Sequence, residues 1–312
     1  MRFLRYAWPA ILLVAAILSP SLTVTITLLI GALLSLALIT PKILEPTLNR
    51  TRRHLLFTAA AGELLIFICL LSGQLDITVA RNYALLVLIA AAPLGLELTL
   101  AWLLHLKHKH ESETIRTAIG YAGEDAHALT AIIGLSLLGT LIFDIPPALS
   151  AMQLLFITCV ARPLLSGRAL QATPHKVDQL WRVLFTSLTV YGSFIFFFIR
   201  HYIEPHYADS INPVTWQATT LALAVFVACQ AALLVFNPRA PKVIVYRSLV
   251  LLGLALVVSY LPLTQDYLMT AGLAAADWVW VIIAGLFYTS LCLLQRQSAL
   301  HSRKSVIALH RN

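Results

Sequence analysis

Apolar residues fall in long runs along this chain, and polar residues gather where the runs end. A helix needs about 20 apolar residues, within a range of about 17–25, to cross the hydrocarbon core of a bilayer. On that template the pattern predicts ten spanning helices, at 3–18, 22–40, 55–72, 83–105, 115–143, 147–165, 183–203, 215–236, 248–263 and 276–294. The first two runs are short and also suit one kinked or re-entrant element. Arg2 and Arg5 ahead of the first run have the look of a secretory signal. The run, however, passes through Ser19-Pro20-Ser21 into the second without a small-residue cleavage site, so a retained helical hairpin is expected.

Composition fits this pattern. The 312 residues are 59% hydrophobic and 12% charged, against about 25% charged in a typical soluble domain, and mean hydropathy is +0.84. So little polar surface cannot coat a globule in water, which leaves lipid as the solvent. Charge then orients the helices, because Lys and Arg of short loops stay on the cytoplasmic side. With the N-terminus inside, 19 of the 22 basic residues fall on cytoplasmic segments; Arg81 and Arg200 fall outside and Arg162 within a span. Ten spans with both termini cytoplasmic fit this asymmetry, and a shift of one span scrambles it. The expected residence is a bacterial inner (plasma) membrane, with the lipid bilayer as the main partner. The net charge of +8 is spread over six cytoplasmic segments, so no nucleic-acid partner is expected.

Loops bound the chemistry. The longest polar stretches, 41–54, 107–113, 166–182 and 296–312, are far below the roughly 50 residues of a small domain. The expected organisation is a single transmembrane domain over 1–312. It comprises an N-terminal helical hairpin and cytoplasmic loop (1–54), helices three and four (55–109), helices five to ten (110–294) and a basic tail (295–312). No Gly-rich phosphate loop, GxxxxGK[ST], HExxH or GxSxG motif occurs, so no catalytic residue, cofactor or metal is expected. The four cysteines, Cys69, Cys159, Cys229 and Cys292, lie in apolar runs without a CxxC pair and read as packed thiols.

Several stretches, in order, resemble the membrane domain of P-type cation-transporting ATPases. Val257-Val258-Ser259-Tyr260-Leu261-Pro262, a short outside loop and Ala276-Asp277-Trp278 are similar to that family's closing helix pair. Gln230 to Phe236-Asn237-Pro238-Arg239 resembles the end of the span before it. Ile115-Arg116 through Gly139, Ile145-Pro146-Pro147 and Gln153-Leu154-Leu155-Phe156-Ile157 resembles the fifth and sixth helices. Leu88 to Pro93-Leu94-Gly95-Leu96 resembles the fourth, whose signature is Pro-Glu-Gly-Leu-Pro. The likeness covers roughly 55–294, and the first hairpin fits by position only.

The resemblance implies an all-α polytopic fold of about ten helices, and it also shows what is missing. The family's soluble domains would stand between helices two and three and between four and five, where this chain has only 41–54 and 106–113. The phosphorylated Asp-Lys-Thr-Gly motif occurs nowhere. The family's ion-site residues are replaced as well. The fourth-helix acid falls on Leu94, with Glu97 nearby. The sixth-helix Asn, Thr and Asp fall on Thr158, Ala161 and Arg162. The fifth-helix Asn and Glu fall near Ala126 and Leu129, with acids instead at Glu124 and Asp125. Hard cations want clustered oxygen ligands, and a guanidinium among them opposes divalent binding.

Ionisable groups inside a membrane are functional candidates by default, since each costs about 2.5–3.5 kcal/mol or more when unpaired at mid-bilayer. Here they are Glu63, Glu97, Glu124, Asp125, His127 and Arg162, flanked by helix breaks at Pro93, Gly95 and Pro163. Counting residues from the span ends puts Glu63, Glu97, Glu124 and Arg162 in the cytoplasmic third of the bilayer, where they could meet. Three readings stay open. One is a self-neutralising ion-pair network around Arg162. Another has Arg162 as a built-in counter-ion with Glu97 or Glu124 still exchanging a proton, and the third is snorkelling of Glu124 and Asp125. His105, His108 and His110 read as a solvated interfacial cluster.

The expected function is that of a non-hydrolytic, P-type-ATPase-like membrane protein. It would act as a regulatory or binding subunit, or as the membrane half of a split transport system with a separate ATPase or membrane subunit as partner. The alternative is a stand-alone secondary transporter of the ten-helix drug/metabolite exporter type, although no two-fold repeat of five spans is evident.

Overall fold

The computed structural model describes residues 11–12, 15–16, 21–39, 46–90, 112–161, 176–203, 211–235 and 242–309. All of its regular elements are helices, with no strand among the described residues. The helices are α1 (Leu22–Ile39), α2 (Pro46–Leu71), α3 (Ile77–Ala90), α4 (Ser112–Phe143) and α5 (Ala151–Phe156), which runs on into a π-turn over Ile157–Ala161. They continue as α6 (Lys176–Ile203), α7 (Ile211–Val235), α8 (Lys242–Tyr260), α9 (Pro262–Leu268) and α10 (Ala275–Leu309). Among the described residues, 180–201 in α6, 214–232 in α7 and 275–295 in α10 are long and apolar enough to cross a membrane. The bent pair α8 and α9 passes the same test together. The ten predicted spans thus have three or four full-length described counterparts; the first, 3–18, lies almost wholly outside the described residues.

Several boundaries differ from the apolar pattern, for one reason. Backbone N–H and C=O groups pair within a helix whatever the side chains do, so helices run past the apolar stretch until a breaker stops them. α2 begins at Pro46, a favoured first-turn residue, and takes in Arg50, Arg52 and Arg53, which the polar pattern assigned to a loop. Only residues 40–45 separate it from α1. The basic stretch after 295 likewise continues α10 to Leu309 as one 35-residue helix. In the other direction, α5 starts at Ala151 rather than 147, because Ser150 caps it: Ser150 Oγ accepts from the Gln153 N–H and Gln153 Oε1 accepts from the Ser150 N–H, each at 3.2 Å.

The chain forms two compact units, Met1–Pro147 with Leu154–Thr158, and Ala148–Gln153 with Cys159–Asn312. In the first, α2 packs along α1 and against α4. The α2–α3 turn is a Schellman motif: Gly73 sits at φ 73°, its N–H bonds the Leu70 carbonyl at 3.2 Å, and the Gln74 N–H bonds that of Cys69 at 3.0 Å. α3 and α4 are tied by Tyr83, fully buried, whose hydroxyl lies 2.5 Å from Thr140 Oγ1. Thr140 donates to the Ile145 carbonyl at 2.5 Å or the Ser136 carbonyl at 3.1 Å. A hydroxyl has one proton, so Tyr83 is the donor to Thr140.

In the second unit α7 is the central helix, packed by α6, α8 and α10. Its spanning segment is 78% buried, against 39% in α6 and 33% in α10. The outer helices turn Leu188, Phe196, Leu256, Ile282, Ile283 and Phe287 away from the protein, an apolar surface that belongs in lipid. α6 and α10 run antiparallel. Thr186 Oγ1 donates to the Tyr288 hydroxyl at 3.0 Å near one end, and Phe196 stacks on Trp280 at 4.8 Å near the other. Small residues bring α7 and α10 together, since a β-carbon on Gly285 would stand 3.4 Å from Ala228 Cβ. Gly285→Ala is therefore expected to fold normally. Gly285→Leu should force the helices apart, at about 1–3 kcal/mol, read as a lower melting temperature in detergent.

Candidate functional site

α2 presents Leu56, Ala59, Ala60, Glu63, Ile66 and Cys69 to the interior, at steps of three and four residues, and exposes Phe57, Leu64, Leu65 and Ile68. Glu63 thus sits in the middle of the buried stripe and is 0% exposed. Next to it Gly62 faces α3, where a β-carbon would meet Val87 at 3.7 Å. The apolar part of α2 runs from Leu56 to Leu71, so Glu63 lies seven residues from one end and eight from the other, roughly 10–12 Å from each at 1.5 Å per residue. That is the mid-point of the apolar segment.

Both carboxyl oxygens of Glu63 are buried without a hydrogen-bond partner among the described residues. Of the described elements in the same unit, α1 contributes no ionisable residue and α3 contributes Arg81, which is exposed. On α4, His127 is half-buried. Among the described residues, then, Glu63 belongs to no ion pair. A buried polar group normally finds a partner, and one left without calls for a reason. Chemically such a carboxyl has two stable forms: neutral with a proton on it, or ionised with a cation beside it. It is therefore a place where one cation can be exchanged for another.

The other members of the predicted charge cluster cannot be set beside it. Glu97, Arg162, Pro93, Gly95 and Pro163 lie outside the described residues. Glu124 and Asp125 stand on the described backbone of α4, with side chains outside the description. Leu129, where the resemblance would put a fifth-helix acid, is fully buried among Ala128, Ile132 and Ile133. The segment aligned with the family's sixth-helix ion pattern departs from α-helix: the π-turn Ile157–Ala161 occupies it, and the Thr158 hydroxyl turns back to the Leu155 carbonyl at 3.1 Å. π-turns recur at functional sites. Among the described residues no group of three or more His, Cys, Asp or Glu could hold a metal ion. Cys69, Cys229 and Cys292 are buried free thiols.

One polar assembly was not singled out from the sequence. At the end of the second unit where α5 and α7 start and α8 stops, Gln153 is fully buried. Its Nε2 donates to Thr219 Oγ1 at 3.2 Å and to the Met269 carbonyl at 3.3 Å, and its Oε1 accepts from the Ser150 N–H at 3.2 Å. Ser150 Oγ donates to the Leu268 carbonyl at 3.2 Å, and Thr220 Oγ1 accepts from the Ala271 N–H at 2.9 Å. Every polar atom of the Gln153 side chain is satisfied, which marks this as an architectural clasp. Glu63 is its opposite.

The chain matches no known family model, and no curated protein matches it.

Proposed function

We propose that this chain is the membrane body of a transport system that has no ATP-hydrolysing part of its own. On this reading it crosses a bacterial inner membrane ten times with both termini cytoplasmic, in the manner of a P-type ATPase membrane domain. It handles a cation, in the simplest case a proton, at Glu63. A separate chain supplies or receives the regulation or the hydrolysis. The observation that carries the reading is Glu63 itself, an acid that has no partner among the described residues at the middle of the apolar part of α2, where a purely structural position would carry leucine. The short link of residues 40–45 between α1 and α2 supports the absence of an inserted soluble domain.

Because the same acid would serve a secondary transporter acting alone, the test separates the two. The protein is purified from its native membrane in mild detergent and reconstituted into liposomes loaded with a pH-sensitive dye. A soluble ATPase recovered in stoichiometric amount, with liposomes of the chain alone remaining proton-tight, is the expected result. Substrate-driven proton movement by the chain alone would replace this reading with the exporter type.

A further inference from the structure

α8 and α9 meet at 89° across Leu261 and Pro262. Pro262 has no N–H, so it cannot bond the Val258 carbonyl four residues back. Thr270 Oγ1 takes that carbonyl at 2.8 Å; Thr264 Oγ1 lies 3.3 Å from it and 2.8 Å from the Leu261 carbonyl, while Gln265 Nε2 takes the Ser259 carbonyl at 2.5 Å. The Val258 and Ser259 carbonyls at the break are thereby satisfied from within. Tyr260 donates to the Leu273 carbonyl and accepts from Trp278 Nε1 at 2.7 Å, closing the loop onto the start of α10.

This arrangement inverts the usual distribution of side chains. The polar residues Thr264 and Gln265 point inward to the freed carbonyls. Leu263 and Tyr267, four apart and so on one face, are each 68% exposed, and Leu261 and Met269 nearly half; the exposed Asp266 stands at the flank of that face. In water such an exposed apolar face would be costly. Along the chain it follows the exposed apolar residues of α8, Leu249, Val250, Leu256, Val257 and Tyr260, which as part of a span belong to lipid. The apolar stretch Val245–Tyr260 is about 24 Å long at 1.5 Å per residue, short of the roughly 30 Å hydrocarbon core. α9 therefore turns off at or within the membrane boundary, not above it. Of the described basic residues of the unit, Lys176, Arg182, Lys242, Arg247 and Arg296 lie at the other end and only Arg200 at this one, which makes this the non-cytoplasmic side. Tyr260, Tyr267 and Trp278 are the aromatic types that settle at such a boundary.

We infer that α9 is an interfacial helix lying in the plane of the membrane, with Leu263 and Tyr267 in the acyl-chain boundary of the non-cytoplasmic leaflet and Asp266 toward water. Its last carbonyls, on Leu268 and Met269, hold Ser150 and Gln153, so a lipid-seated helix positions the start of α5. The inference rests on reading α8 and α10 as membrane spans, and the test keeps the two apart. Nitroxide labels are placed singly in the full chain at Leu263→Cys, Tyr267→Cys, Asp266→Cys and, on α10, Ile282→Cys, in phosphatidylcholine vesicles. The wild type, which carries all four native cysteines, is the blank. Relaxation by oxygen, which partitions into lipid, is compared with relaxation by a water-soluble nickel chelate. The expected result is oxygen dominant at 263, 267 and 282 and chelate dominant at 266. Chelate dominance at 263 and 267 with oxygen dominance at 282 overturns the inference alone. Protection from both colliders at 263 and 267 also overturns it, in favour of a protein partner or second copy on this face. Chelate dominance at 282 overturns the membrane reading beneath it.

Discussion

Replacing Glu63 by leucine is expected to stabilise the protein and to silence it. Glu63 is wholly buried with both carboxyl oxygens unpartnered among the described residues, and a buried polar group in that state costs about 1–3 kcal/mol. Leucine fills a similar volume with no polar atom, so Glu63→Leu should raise the melting temperature in detergent by the equivalent of about 1–3 kcal/mol. Glu63→Gln, nearly isosteric and still polar, should melt close to wild type. Glu63→Lys, which brings a fixed positive charge to the same depth, should lower stability by about 2.5–3.5 kcal/mol. Dicyclohexylcarbodiimide, which attacks carboxyl groups inside membranes, should label wild type at Glu63 and neither the Leu nor the Gln variant. Any cation movement through the system should stop in both. A residue whose removal improves stability while ending activity is one held for its chemistry. A fall in melting temperature for Glu63→Leu would instead mean that the acid has a partner and belongs to the architecture.

Gln153 should behave in the opposite way. Gln153→Leu removes both donors from Thr219 and the Met269 carbonyl and the acceptor from the Ser150 N–H. These groups have no water to turn to, and the expected loss is about 2–4 kcal/mol. Gln153→Glu keeps the shape but turns an oxygen toward the Met269 carbonyl, and should cost at least as much. A thiol-reactive dye is a natural reporter, since Cys69, Cys229 and Cys292 are all buried and react only as the helices part. Equal melting of wild type and Gln153→Leu would show that the clasp is dispensable.

The two residues also mark how much of the candidate site could be read before folding. Glu63 stood out in the sequence because an acid inside an apolar run is conspicuous without any structure. What could not be read was its company. Counting residues from the ends of runs suggested a meeting with other charges; of these Glu97 and Arg162 lie outside the described residues, and α2 holds Glu63 on its buried stripe at the middle of its apolar part. Gln153 did not stand out, because a lone glutamine near the end of a span resembles any interfacial polar residue. Its partners lie 66 and 116 residues away, a separation that local pattern cannot bridge. The bend at Pro262 was half legible: proline announces a break, but its angle depends on Thr264, Gln265 and Thr270 finding the freed carbonyls.

By itself the sequence determined that this is a chain of helices, several of them long and apolar enough to suit lipid. Those properties depend on composition and on the length of apolar runs, and both are local. The tertiary structure alone decided that α7 is enclosed while α6 and α10 keep an apolar face outward, that Glu63 is buried unpaired while Gln153 is fully bonded, and that α9 turns at a right angle to α8. Burial and hydrogen bonding are relations between distant segments, and in a chain this uniformly apolar the one-dimensional pattern says too little about which face meets which neighbour.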